Sequence, residues 1–397
     1  MAGAFWGAPR IRPASAFRSA PDLGDVAPFG DEGIRHCLAG GRRRLQNSGR
    51  VLRNMSQAYS HATDHEFVVA GTDDPGLPQV RESWAAPGQH LPLILEPEVA
   101  GLDLIELAAR HKEEIRGRML RYGGVLFRGF SGVTTETFRS LMTELSGEPL
   151  QYLERTSPRH EVGNKVYTST DYPAAQEIFL HNEQSYNTSW PLRIFFHCVV
   201  QPAAGGGTPI ADSRKIYHRI SEATRTKLEE RKYRYVRHFG GRLGLSWREA
   251  FQTEDRSEVE EYCRLNDISY AWGENDALTT HQVRPVVARH PVTGEVTWFN
   301  HLVFFNVQMF DRATVKALMS MGKDQLPNNT YYGDGADIEP EVIEELRAAY
   351  LAEKVVVPWR EGDVLMLDNM FVAHARESFT PPRQIIVGMT EPRTADL

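Results

Sequence analysis

The chain has 397 residues, a formal net charge of −7 and an ordinary apolar fraction of 41%. A net negative charge without a basic stretch in its main body excludes a nucleic-acid binder held by phosphate contacts. No apolar run reaches the length needed to span a bilayer. The three cysteines, Cys37, Cys198 and Cys263, are too few and too scattered for a disulfide framework and fit a reducing, cytoplasmic setting.

Residues 1–54 stand apart. They hold nine Arg, no Lys and four acids, a net of +5, with frequent Pro and Gly and no sustained periodicity. This is the composition of a disordered extension. An organelle transit peptide is a rival reading that Asp22, Asp25, Asp31 and Glu32 count against; a natural start at Met55 is another. Residues 55–397 are then expected to form one domain. Within it, 66–98 reads as loop, with Pro75, Pro78, Pro87, Pro92 and Pro97. Helices are predicted at 102–121 and at 134–145, the second with Thr134 near its N-cap and Gly147 after its end. Between them GVLFRGF reads as a buried strand whose Arg128 is read as a structural ion pair in preference to a ligand group.

Strands follow at 165–170 and 193–200, the latter with His197 as a core histidine. A helical connection is expected at 213–231, capped by Asp212 or Ser213. Further strands are expected at 233–239, 283–290 and 295–300, and helices at 312–321 and 341–354, with Pro340 suited to a first turn. The last strands are 363–367 and 383–390. Short strands interrupted by helices, without regular βαβ alternation, indicate an α+β fold with a sandwich or barrel core.

The chemistry concentrates in two stretches. The first, 177–215, brings His181 and Glu183 two residues apart. In an extended segment both side chains point to one side and can share an ion, whereas a helix would set them roughly 200° apart. The second stretch contains the strand-like DVLMLD, a short loop and His374, then Arg383 at the head of the alternating run RQIIVGM. Two histidines and a carboxylate make the facial triad of non-haem Fe(II) oxygenases, which leaves open positions for co-substrate and O₂. A guanidinium at Arg383 can hold a carboxylate through two parallel bonds. One other His-x-acid triplet, His111-Lys112-Glu113, lies in an amphipathic helical pattern and reads as surface. Gly205-Gly206-Gly207 lacks the spacing of a phosphate loop and reads as a turn that places Thr208. His301, flanked by aromatics, can line a pocket or satisfy buried backbone groups.

On these residues the chain resembles the TauD/TfdA superfamily of Fe(II)- and 2-oxoglutarate-dependent oxygenases. The resemblance runs from about 122 to 390 through GGVLFRGF (123–130), HNE (181–183), GGGTPIADS (205–213) and HARESFTPPR (374–383). It is similar in particular to the SyrP-like branch, the aspartyl hydroxylases of nonribosomal peptide pathways, through WFNHLVFFNV (298–307), NNTYYGDGADIEPEVI (328–343) and LDNMFVAHAR (367–376). The resemblance implies a double-stranded β-helix, or jelly roll, with helical insertions. It implies Fe(II) on His181, Glu183 and His374. It also implies 2-oxoglutarate on Arg383 and Thr208, the latter 27 residues after His181 as the family places it. Arg383 lies only nine residues beyond His374, at the short edge of the family range. Arg376 is therefore its competitor, and otherwise a substrate candidate together with His301.

Val387 stands where taurine-type members carry a sulfonate-binding arginine, which disfavours sulfonates, and Glu183 occupies the place a halogenase gives to halide. The substrate implied is an amino acid, hydroxylated at its β carbon, free or tethered to a carrier protein, with O₂ as co-substrate. The readings that compete with it are a binding protein with a vestigial site and a Zn-dependent hydrolase.

Overall fold

The computed structural model describes residues 76–151, 161–163, 165–168, 172–240 and 244–395. The expectation for residues 1–54 lies outside the described residues. The strands in chain order begin with β1 (Val80–Ser83), β2 (Leu93–Pro97), β3 (Gly124–Phe127), β4 (Glu161–Gly163), β5 (Val166–Thr168), β6 (Ile178–His181), β7 (Ser189–Val200), β8 (Ala204–Gly205) and β9 (Ile210–Asp212). They continue with β10 (Tyr233–Phe239), β11 (Ser269–Trp272), β12 (Leu278–Arg284), β13 (Val287–Arg289), β14 (Val296–Trp298), β15 (Asn328–Tyr332), β16 (Val364–Asp368), β17 (Val372–Arg376), β18 (Phe379–Thr380) and β19 (Gln384–Thr394).

An eight-stranded sheet in the order β1-β2-β3-β16-β7-β19-β5-β4 faces a three-stranded sheet, β6-β17-β9. The side chains between them make the main core, where Phe195, Val364, Met366, Ile386 and Val372 lose all contact with water. This is the jelly-roll core with helical insertions that the resemblance implied. β16 is buried along its whole length because it lies between β3 and β7, so its VLMLD sequence has no solvent face to alternate toward. β7 and β19 pair over ten residue positions and form the long spine of the barrel.

One excursion leaves this core. After β9 the chain runs through helices Ser213–Arg219 and Glu222–Arg231 into a second sheet, β11-β12-β10-β15, and returns along helix Pro340–Ala352. β10 alternates strictly, with Tyr233, Tyr235, Arg237 and Phe239 inward. The second sheet grips the core through Tyr186, whose carbonyl accepts from Gln282 Nε2 at 2.7 Å and Arg284 Nε at 3.2 Å. The excursion closes on itself where Ile210 and Val355 exchange two backbone hydrogen bonds, each 2.8 Å.

Several local expectations need correction. Residues 80–83 and 93–97 are strands, not loop: Leu93 and Leu95 are fully buried, and β2 pairs parallel to β3. Burial of the LIL triplet outweighs the proline density around it. The helix expected over 102–121 is two helices, Leu104–Arg110 and Lys112–Tyr122, meeting at His111; Asp103 caps the first through Ile105 N and Glu106 N. The helix expected from 134 begins at Phe138, because Thr134 and Thr137 bond each other's backbone N–H through their hydroxyls and hold a turn. The connection 213–231 also breaks: Asp212 caps its first half and Ser221 its second. The strand expected over 283–290 is interrupted at Pro285, which has no N–H for a ladder.

Two buried polar groups fall as expected. Arg128 makes a bidentate ion pair with Asp363, at 3.0 and 2.6 Å. His197 stacks on Phe138 with ring centroids 5.5 Å apart, and its Nδ1 meets the Asp363 carbonyl at 3.2 Å. Burial holds it below the ordinary histidine range.

Candidate metal centre and its cavity

β6 ends at His181, and β17 carries His374 directly opposite it in the antiparallel register. Each strand thus delivers one imidazole to the same end of the small sheet. Glu183 lies two residues beyond His181, and its Oε2 is 4.0 Å from His374 Nε2. One donor atom from each of His181, Glu183 and His374 lies within 4.8 Å of the other two, the one such cluster found among the described residues. The three side chains are buried, at 9%, 4% and 5% exposure.

His374 Nε2 and Glu183 Oε2 are within ion-pair range but beyond a hydrogen bond, and a carboxylate buried this deeply is costly to keep charged without a cation beside it. Two nitrogens and a carboxylate oxygen this close together could hold a dication, and that donor set suits Fe(II). The tautomer supports the fit. His181 Nδ1 lies 2.9 Å from the Phe179 carbonyl, so its proton belongs there and Nε2 is left as the donor lone pair. Phe304 packs 4.7 Å from the His181 ring and Phe196 5.3 Å from that of His374, closing the centre on its apolar side.

A small cavity opens beside the triad. Its polar lining is His181, Glu183, His374, Thr208, Arg376 and Arg383; Phe196 and Val387 supply apolar wall. Thr208 and Arg383 are neighbours through the glycine run. Gly205 and Gly206 both have positive φ, and a Cβ on Gly205 would lie 2.4 Å from the Ser378 carbonyl oxygen. Bare glycine lets this turn lie against the 375–383 segment, and Arg383 Nε then donates to the Gly206 carbonyl at 2.9 Å. Thr208 Oγ1 accepts from Trp359 Nε1 at 3.0 Å, which fixes the side chain where it lines the cavity. Burial, and after it the like charge of Arg376, lowers Arg383 to about 10. It remains a cation at neutral pH and gains from any anion that enters.

Arg376 also lines the cavity, but its amines serve the protein's own backbone. They donate to the carbonyls of Tyr172, Pro173 and Gln176 at 2.7–2.8 Å. This ties down the segment that leads into β6, and it favours a structural use over the substrate contact expected for Arg376. His301 does not line this cavity. It lies ring to ring with His181, at 5.5 Å, and its Nδ1 meets Ser185 Oγ at 2.7 Å. Burial, and then the neighbouring His181, holds His301 well below the ordinary histidine range, so it stays neutral.

Two features escaped the sequence reading. Trp359 lies 151 residues from Thr208, with no local pattern to join them. Asn369, in the loop after the strand-like DVLMLD, reaches across to the backbone of Glu183, which nothing local announces.

Comparison with known proteins follows the same lines. Residues 87–390 match the family described as taurine catabolism dioxygenase TauD, TfdA family. The dapdiamide synthesis protein DdaC of Enterobacter agglomerans is 39% identical over 271 residues, covering 68% of this chain and 82% of that protein. A clavaminate synthase-like protein of Arabidopsis thaliana is 26% identical over 331 residues, covering 79% and 96%. Among solved structures, the PvcB protein of Pseudomonas aeruginosa aligns with a TM-score of 0.49 at 17% identity, covering 84% of this chain and 94% of that one.

Proposed function

The chain belongs to the TauD/TfdA dioxygenase family, and on that premise we propose that this Fe(II)- and 2-oxoglutarate-dependent oxygenase hydroxylates an amino acid at its β carbon, free or tethered to a carrier protein. His181, Glu183 and His374 hold the iron in this reading, and Arg383 with Thr208 holds the distal carboxylate of 2-oxoglutarate. The observation that carries the assignment is one cavity lined by all five residues. When bound, iron and 2-oxoglutarate supply the activation of O₂, with 2-oxoglutarate consumed to succinate and CO₂ and a C–H bond of the substrate hydroxylated.

The protein's own contributions are orientation and exclusion of water. Arg383 offers a charge fixed through its Nε on Gly206, and Thr208 a hydroxyl fixed by Trp359. Phe196 and Phe304 keep solvent from the imidazoles. His301, neutral and held by Ser185, is the group we assign to the substrate side of His181. Family membership replaces the binding-protein and hydrolase readings.

Two observations support the substrate class. The relative at 39% identity is a dapdiamide synthesis protein, which supports a role in small-molecule biosynthesis. Val387 lies in the cavity wall, at the position where the resemblance to taurine-type members would place a sulfonate-binding arginine. The test is succinate formation with Fe(II), ascorbate and 2-oxoglutarate against a panel of free and carrier-tethered amino acids, with products identified by mass spectrometry. A product 16 Da heavier and oxidised at the β carbon is expected. Stimulation by a sulfonate or a phenoxy acid alone would overturn the substrate class.

A further inference from the structure

β6 ends at His181, so the backbone of Glu183 lies beyond any strand ladder. Buried backbone groups must still be satisfied. One side chain satisfies both groups of this residue. Asn369 Oδ1 accepts from Glu183 N at 2.8 Å, and Asn369 Nδ2 donates to the Glu183 carbonyl at 2.8 Å and to that of Pro191 at 2.8 Å. The amide orientation is self-consistent, since its acceptor meets an N–H and its donors meet carbonyls. Asn182 completes the exchange by donating to the Asn369 carbonyl at 2.7 Å.

The turn that holds Asn369 is itself anchored. Asp368 Oδ1 accepts from Met370 N and Phe371 N, while its Oδ2 takes Arg193 at 2.5 Å and His290 at 2.9 Å. Phe371 lies between the Arg214 guanidinium, at 4.3 Å, and the His290 ring, at 4.2 Å. Asp368 and Asn369 have no exposure at all. Directly after Glu183, Gln184 takes a positive φ of 55°, a conformation that an L side chain rarely adopts. The chain turns away at once, and the carboxamide is what sets the peptide planes on either side of Glu183.

We propose that Asn369 is a positioning residue: its two-sided grip on the backbone of Glu183 aims that carboxylate at the metal and ties it in register with His374, five residues downstream of the same turn. The inference rests on the reading of His181, Glu183 and His374 as metal ligands. A turn-stabilising asparagine with no bearing on the centre is the competing account.

Mn(II) separates the two, with the metal-free protein titrated and free ion followed by electron paramagnetic resonance. Asn369→Ala should weaken Mn(II) binding at least tenfold, the range typical of residues that orient ligands. In a Glu183→Ala background the same change should alter binding by less than twofold, because the group it aims is gone. Equal loss in both backgrounds, or no loss in the parent, overturns the proposal. Glu183→Ala binding Mn(II) as tightly as the parent would instead overturn the ligand assignment itself. Should Asn369→Ala not fold, Asn369→Asp carries the same comparison: it keeps the acceptor for Glu183 N–H and loses both donors. Hydrogen exchange gives a readout free of metal, with faster exchange expected in Asn369→Ala at peptides covering 181–184 and not in β19. Uniform acceleration across the barrel would assign Asn369 to general stability.

Discussion

Arg383→Ala is the sharpest test of how the co-substrate is held. Arg383 lies mostly buried in the cavity wall, its Nε spent on the Gly206 carbonyl. An incoming carboxylate that finds this cation gains a desolvated, charge-assisted pair; without it the carboxylate is buried alone. Truncating one partner of such a pair costs about 2–5 kcal/mol, and each 1.4 kcal/mol is about tenfold in affinity. The lower end applies here, because Arg376 lies close enough to depress Arg383 and would partly compensate its loss. The expected rise in the apparent 2-oxoglutarate constant is therefore about 30-fold. Arg376→Ala should change that constant little, since its amines already serve three backbone carbonyls. It should instead loosen the entry to β6 and raise succinate formation uncoupled from substrate oxidation. The assay is a 2-oxoglutarate titration of succinate release at saturating iron for both variants. A large shift with Arg376→Ala and none with Arg383→Ala would reverse the assignment, and no shift with either would place the carboxylate elsewhere.

Other consequences are as direct. His374→Ala should abolish succinate formation and remove the thermal stabilisation that Mn(II) gives the parent, which at a hundredfold excess over Kd is about 2.7 kcal/mol; an undiminished shift in melting temperature would remove His374 from the centre. Arg128→Met leaves the Asp363 carboxylate buried without its partner and should cost about 3–5 kcal/mol of stability in urea denaturation, against less than 1 if the pair were solvated. Burial, reinforced by the charge of Asp363, pushes the Cys198 thiol up to about 12. Below that pH the thiolate is scarce, so iodoacetamide at pH 8 should leave Cys198 unmodified in the native protein and label it in urea, as read by peptide mass spectrometry.

The candidate metal triad was legible as a cluster because its signal is local. A spacing of two in an extended run puts His181 and Glu183 on one side, and a strand-like run before His374 promised a partner strand, which β17 is. Strand identity was clear where burial alternates, as in β10, and where it is continuous, as in β16. Breaks inside helices were not legible: nothing in the apolar periodicity marks His111 or Ile220 as a joint; the second break follows from the Ser221 cap, while the helix after His111 starts without a side-chain cap. β2 was hidden by its prolines because parallel pairing with β3 is a property of the whole sheet. The grip of Asn369 on Glu183 spans 186 residues, and only the folded chain shows that the two meet.

The double hydrogen bond between Ile210 and Val355 has a use beyond fastening two segments. It brings both ends of the excursion to one point, as in proteins that accept inserted domains. The five residues assigned to iron and 2-oxoglutarate all lie outside residues 214–352, while His301 and the second sheet lie within them. The excursion is thus a cassette with a single doorway. Grafting the corresponding stretch of a relative at that doorway, with Gln282 and Arg284 against Tyr186, Phe304 against His181, and Arg214 and His290 around the Asp368 turn all retained, offers a way to change which molecule is oxidised without disturbing the chemistry that oxidises it.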